Sequence, residues 1–378
     1  MTLSAIPKSV RPAIDDMIDN CYEIKRGQKA VIAAQTEGLQ GGDNRIDRKV
    51  VDWLIAACAE RGALAKALWF DHPDRYDGKA PAVLVEALKE NDVFIDCSFD
   101  ITWEEYREFR NITLAEGKVF CRLAATTPEL LSSRWASTPY ELQSEIRYQA
   151  TVPFGNGGAD FLLDTPNGTH VEGIILPPNG YRLGDPEAPV YAKYRKDQKS
   201  YRPFPEWVTP PVNIGNANGN VVFDRTLSWW SSYLGIDPTF EQPVRLTIEN
   251  GRTVSIEGGR EADVIRAFMD SLVPIYGDAV YQFGYLHLGM HPFAAVEDPS
   301  RYSPGFVRFL DHSNASTLHM HVCEVPPTDA FTYRVHLTCD VKNATLRVGD
   351  QYITRDGRLL ALDHPDVKER FNKYGIQI

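Results

Sequence analysis

The sequence predicts an α/β amino-terminal domain built on a mainly parallel sheet, followed by a β-rich (α+β) carboxy-terminal domain. Two observations carry the prediction. As far as about residue 140, compact apolar runs alternate with stretches of helical spacing, the pattern of repeated β-α units. Beyond that point the chain breaks into short strand-like runs separated by Asn-Gly, Pro and Gly turns. A chain of 378 residues is also too long for one small core. The expected division is residues 1–140 and 141–378.

In the first part, KAVIAAQ (29–35) is a compact apolar run, and DRKVVDWLIAACAERG (47–62) has helical spacing and a closing glycine. ALAKALWFD (63–71) reads as a strand and APAVLVEALKEN (80–91) as a helix. DVFIDCSFD (92–100), TWEEYREFRN (102–111) and KVFCRLA (118–124) continue the alternation. TPELLSSRWAS (127–137) opens a helix with Thr127 as N-cap. Neither GxGxxG nor GxxxxGK[ST] occurs in this half, so dinucleotide and P-loop readings have no support.

In the second part, RYQATVPF, ADFLLDT, THVEGIILP, NVVFD, VRLTIE and RTVSIEG read as strands. Asn250-Gly251 between the last two is a strong hairpin signal. READVIRAFMDSLV (260–273) has helical spacing. Residues 176–215, rich in Pro, Tyr and Gly, read as a long lid-like loop.

Net charge is −11 with no basic tract, which argues against nucleic acid and anionic membrane as partners. No apolar run approaches the length of a membrane span, and the amino terminus lacks a signal-peptide pattern. Six scattered cysteines with no CxxC pair read as buried thiols of a cytoplasmic protein.

Six of the nine histidines fall between His287 and His336. Each has two readings, a hydrogen-bonded core residue or a metal ligand, and their density in a strand-rich region raises the second. Residues i and i+2 of a strand share a face, so His319 and His321 could reach one ion. Four residues of strand span about 13 Å. That is too far for His336 and Asp340, or for His287 and His291, to grip one metal. His72 and His364, each in an Asp-His-Pro context, read as surface turns, and His170 as the start of a strand.

Five stretches occur in the order seen in a known group of enzymes: NGGADFLLD (156–164), PEWVTPPVN (205–213), NGRTVSIEGGREADVIRAFM (250–269), FGYLHLGMHP (283–292) and RVHLTCDVKNATLRVGD (334–350). Together they resemble the aminopeptidase-T-type metallopeptidases and, more closely, their 2,5-dihydroxypyridine 5,6-dioxygenase-like relatives, which are non-haem iron enzymes. The resemblance implies metal ligands at His287 and His336. It places Thr338 where an Asp ligand is expected, a departure that breaks the plain triad. His319 corresponds to a metal-binding His of the peptidases and is favoured as substitute. Glu206, where the peptidases place a metal-binding Glu, and His321 are the alternates. Cys323 falls near a site serine of the dioxygenase. Thr338 and Cys323 are thus the catalytic candidates.

The resemblance implies a mononuclear Fe(II) oxygenase cleaving a small hydroxylated aromatic or N-heterocyclic substrate with O₂; Zn(II) would fit the same ligands. Tyr201 and Trp207, with Tyr181, Tyr191 and Tyr194 of the lid-like segment, could stack on such a ring. Trp229 and Trp230 read as core or as a packing surface between domains. A metal-dependent hydrolase of the amidase or aminopeptidase type and a catalytically decayed homologue are the competing readings. Relatives of this kind assemble, so a homo-oligomer is expected.

Overall fold

The computed structural model describes residues 5–36, 46–70, 81–97, 112, 115–177, 201–209, 211–226, 234–237, 239–296, 302, 304–325 and 335–378. The chain divides into two compact units, Met1–Ser144 with Arg195–Glu206, and Glu145–Tyr194 with Trp207–Ile378.

The first unit is built on a five-stranded parallel sheet with strand order β2-β1-β3-β4-β7: β1 is Lys29–Gln35, β2 Leu64–Phe70, β3 Val93–Asp96, β4 Val119–Leu123 and β7 Tyr201–Phe204. All of β3, and β1 apart from Lys29, is buried, as parallel strands covered on both faces require. Helix α1 is Arg11–Asp16 and α2 is Arg48–Glu60, the latter capped by the Asp47 carboxylate, which accepts from the Lys49 N–H at 2.8 Å. Helix α3 is Ala82–Glu90. Thr127 caps α4 (Pro128–Ser132) as its position predicts, accepting from the Leu130 N–H at 3.2 Å. That helix does not run on through Trp135. Ser133 turns extended and caps a separate short helix, α5 (Arg134–Ser137). TWEEYREFRN lies outside the described residues.

RYQATVPF is not a strand. Its first five residues close helix α6 (Tyr140–Thr151), and Val152–Phe154 form a single 3-10 turn. Leu142, Ile146 and Ala150 are all buried at a spacing of four, which makes a helical stripe, and the Thr151 hydroxyl donates back to the Arg147 carbonyl at 2.9 Å.

The second unit carries an antiparallel sheet of eleven strands among the described residues. β5 is Asp160–Asp164, β6 His170–Ile175, β8 Val212–Arg225, β9 Thr239–Glu249 and β10 Arg252–Glu257. β11 is Phe283–Leu288, β12 Thr317–Val325, β13 Val335–Lys342, β14 Thr345–Val348, β15 Gln351–Arg355 and β16 Arg358–Leu359. The order is β13-β12-β11-β8-β6-β5-β14-β15-β16, with β9 branching from β8 and β10 pairing β9. β8 pairs β11 near its start and β9 over its second half, so it ties the two arms of the sheet together. Between β9 and β10, Asn250 (φ 51°) and Gly251 (φ 75°) are both left-handed, the requirement of a tight hairpin turn. Helix α7 (Arg260–Tyr276) buries Ala262, Ile265, Met269 and Leu272. Helix α8 is Pro304–Ser313, directly before β12, and α9 is Pro365–Lys373, where His364 serves as N-cap.

All six cysteines are free and buried. No helix among the described residues is long and apolar enough to cross a membrane.

Candidate metal centre

The centre is built from neighbouring strands at one end of the antiparallel sheet. In register, His287 of β11 lies opposite His319 of β12, and His319 lies opposite Asp340 of β13. One row along, Tyr285, His321 and Thr338 align in the same way. Residues directly opposite in an antiparallel pair share a face, and so do residues two apart on one strand. Three histidines therefore converge, each with a nitrogen within 4.8 Å of the others. His319 is fully buried, and His287 and His321 are nearly so. The His287 ring stacks on His319 at 4.7 Å and lies 4.8 Å from His321.

Two of the rings have their orientation fixed. His287 Nδ1 lies 3.0 Å from the Thr209 carbonyl. A carbonyl only accepts, so Nδ1 carries the proton and Nε2 keeps its lone pair. Thr209 is itself held, because its hydroxyl accepts from the Leu288 N–H at 3.0 Å and its N–H donates to the Leu288 carbonyl at 2.9 Å. At the end of β11, a Cβ on Gly289 would sit 2.1 Å from the Asn314 carbonyl oxygen, so only glycine permits that close approach. His321 Nδ1 lies 3.3 Å from Glu324 Oε2, which again leaves Nε2 as the basic nitrogen.

The donor set suits a metal ion. Ligands of one ion at about 2.1 Å can lie no more than about 4.2 Å apart, so the widest gap closes with side-chain shifts of under an ångström. No carboxylate belongs to this group among the described residues.

Asp340 is beside the group and outside it. It is fully enclosed, and burial above all, with the nearby Asp311 charge, pushes its carboxyl up to about 7. Arg225, the Thr338 hydroxyl and Lys342 pull the other way. Its Oδ1 has no hydrogen-bond partner among the described residues.

The remaining candidates are placed as follows. Thr338 is buried opposite His321, its hydroxyl 3.3 Å from that of Thr226, which donates to the Thr338 carbonyl at 3.0 Å. Cys323 is buried, with its thiol pushed up to about 12 by burial and so protonated at neutral pH. Trp207 packs against Phe309 and His312 of α8 at 5.7 and 5.5 Å between centroids. His312 in turn lies 4.0 Å from His319 and backs the cluster. Glu206 is buried at the end of the first unit, its N–H donating to Gln143 Oε1 at 2.7 Å, and it does not belong to the histidine group. His336 lies on β13, two residues before Thr338, and Tyr201 opens β7; the side chains of both are outside the described residues. So are Tyr181, Tyr191, Tyr194, Trp229 and Trp230.

Sequence reasoning missed Thr209, Glu324 and Tyr285, and it counted His312 in the histidine cluster without giving it a separate role. Tyr285 had a signal, because it lies two residues before His287 on one strand. Its ring meets His321 edge-on at 6.1 Å.

No family model and no curated protein matches the sequence. Solved structures do. 2,5-Dihydroxypyridine dioxygenase from Pseudomonas putida KT2440 superposes with a TM-score of 0.66 at 14% identity, covering 94% of this chain and 98% of that one. The fold resembles that of a known dioxygenase. Wild-type AmpT from Thermus thermophilus, an aminopeptidase, superposes with a TM-score of 0.51, also at 14% identity, covering 94% of this chain and all of that one. These two enzymes match both groups that the carboxy-terminal motifs resemble, and at this identity the likeness is one of fold.

Proposed function

We propose that this chain is a mononuclear metal-dependent oxygenase of small hydroxylated aromatic or N-heterocyclic compounds, with His287, His319 and His321 as the ligand set. The observation that supports it best is the convergence of three buried imidazoles with no carboxylate in the group. Two-metal hydrolytic sites rely on bridging carboxylates to hold both ions, and that element is missing from the grouped residues. Three neutral imidazoles bring no negative charge of their own to a +2 ion, which favours an anionic, chelating substrate such as a deprotonated hydroxypyridine or catechol. Fe(II) in this setting would supply open coordination positions for such a substrate and for O₂.

The protein's own contribution is orientation and exclusion of water. Thr209 and Glu324 fix the proton on Nδ1 of two rings and present Nε2 inward. The row of tilted rings Trp207, His312 and His319 packs the side of the cluster that faces α8. Tyr285 meets His321 edge-on at 6.1 Å and is placed to contact a bound ring.

A second reading has its own support. The same three nitrogens would hold Zn(II) with an activated water, and AmpT shares the fold. Anaerobic purification, elemental analysis and O₂ uptake with dihydroxypyridines and catechols separate the two. Iron with substrate-dependent O₂ consumption supports the oxygenase; bound zinc with amide hydrolysis and no O₂ uptake overturns it.

A further inference from the structure

Strict strand alternation would put Glu324 on the face opposite to His321, since three residues is an odd step. The structure puts them 3.3 Å apart. The reason is a break in the β12–β13 register. Val322 pairs Leu337 and Val325 pairs Val335, so Cys323 and Glu324 on β12 stand opposite the single residue His336 on β13. One extra residue in one strand resets the alternation beyond it. The bulge is carried by Cys323, whose φ of 56° is left-handed, a conformation that a residue other than glycine adopts at a cost. The Cys323 N–H is not wasted, because it donates to the Gln282 carbonyl at 3.2 Å. A strained residue beside a cluster of ligands points to a geometric requirement there.

We infer that Glu324 is a positioning residue for the metal ligand His321, brought into place by the left-handed bulge at Cys323. The inference rests on the metal-site reading above and deepens it. Glu324 is partly buried, and its carboxylate is placed to accept the His321 Nδ1–H, which holds the ring in one tautomer and rotamer. It also adds one negative charge next to a ligand group that has none of its own. His287 is served by a neutral carbonyl, so the two fixed ligands differ in the charge behind them. A carboxylate behind a ligating imidazole strengthens it as a donor, and such outer partners are worth about 10–100-fold in metal affinity.

The test compares wild type, Glu324→Gln and Glu324→Ala. Zn(II) affinity is measured by competition with a chromophoric chelator at neutral pH, and the visible spectrum of the Co(II)-loaded proteins is recorded. Glu324→Ala should bind Zn(II) about 10–100-fold more weakly. Glu324→Gln, which keeps an acceptor oxygen without the charge, should fall between the two, and the Co(II) bands should shift in both variants. Zn(II) affinity within about twofold of wild type, with unchanged Co(II) bands, overturns the inference while leaving the metal site standing. Equal weakening in both variants with unchanged Co(II) bands also overturns it, because that is the signature of general loosening. If wild-type protein binds neither ion, the metal reading falls and this inference falls with it.

Discussion

The His287 and His319 rings stack at 4.7 Å with their planes only 10° apart, across two strands that hold the residues directly opposite one another. Two imidazolium ions at this distance in a buried setting would repel strongly. The arrangement is stable with neutral rings, the form in which histidine binds a metal. Substitution of His287, His319 or His321 by Ala should each reduce Zn(II) affinity at least about 100-fold, read by chelator competition. His336→Ala in the same assay decides the ligand set that the family resemblance implies. Full retention of the ion favours the three grouped histidines alone.

Thr338→Asp supplies the carboxylate that the resemblance of the carboxy-terminal motifs implies at this position. In this chain it would bury a second acid beside Asp340 and break the contact with Thr226. The metal-free variant should lose about 2–4 kcal/mol of stability. Saturating Zn(II) should then raise its melting temperature by more than it raises that of wild type, read by differential scanning fluorimetry. An equal shift in both proteins would show that the ion sits away from residue 338.

The Asp340 carboxyl is pushed up to about 7 by burial, with the Asp311 charge adding to it. The unfolded chain releases this proton near pH 4, while the folded metal-free protein still binds it. The associated stability is therefore fully present below about pH 4 and is lost as the pH rises through about 7. The full loss is of order 4 kcal/mol, at about 1.4 kcal/mol per pKa unit. Urea midpoints of metal-free wild type should fall across this window, and those of Asp340→Asn should fall less. Arg225, Lys342, Asp311 and Thr338 surround the group and are left unchanged in this comparison.

Cys323→Val tests the bulge through the backbone. A β-branched residue resists the left-handed conformation by about 1–2 kcal/mol. Cys323 already bears that cost, so the variant should be destabilised in urea unfolding only by the added crowding of the second Cβ branch, and it should also bind Zn(II) more weakly, although it removes no ligand. Cys323→Gly, which adopts this φ freely, should keep the affinity of wild type.

Much of the fold could be read from the residues. The apolar runs of β1 and β3 mark strands of a parallel sheet, and Asn250-Gly251 marks the β9–β10 hairpin of the antiparallel one. RYQATVPF misled because Tyr, Thr and Val favour strands locally, while the burial that decides the matter extends back to Leu142, outside that stretch. At the centre, the two-residue step from His319 to His321 was legible, since it needs only the alternation of a strand. The partnership of Glu324 with His321 was not, because that same alternation places them on opposite faces. Thr209 was also hidden. It acts through its carbonyl, which every residue possesses.

The register that aligns β11, β12 and β13 has an evolutionary consequence. His319 and His321 sit on one strand, so inserting or deleting a single residue in β12 ahead of them would turn both away from His287 together. Point substitutions can weaken the centre by degrees, whereas a frame change in this strand abolishes it in one event. Lineages of this fold should therefore vary in length at the loops flanking β12 and hold its length constant between Thr317 and His321.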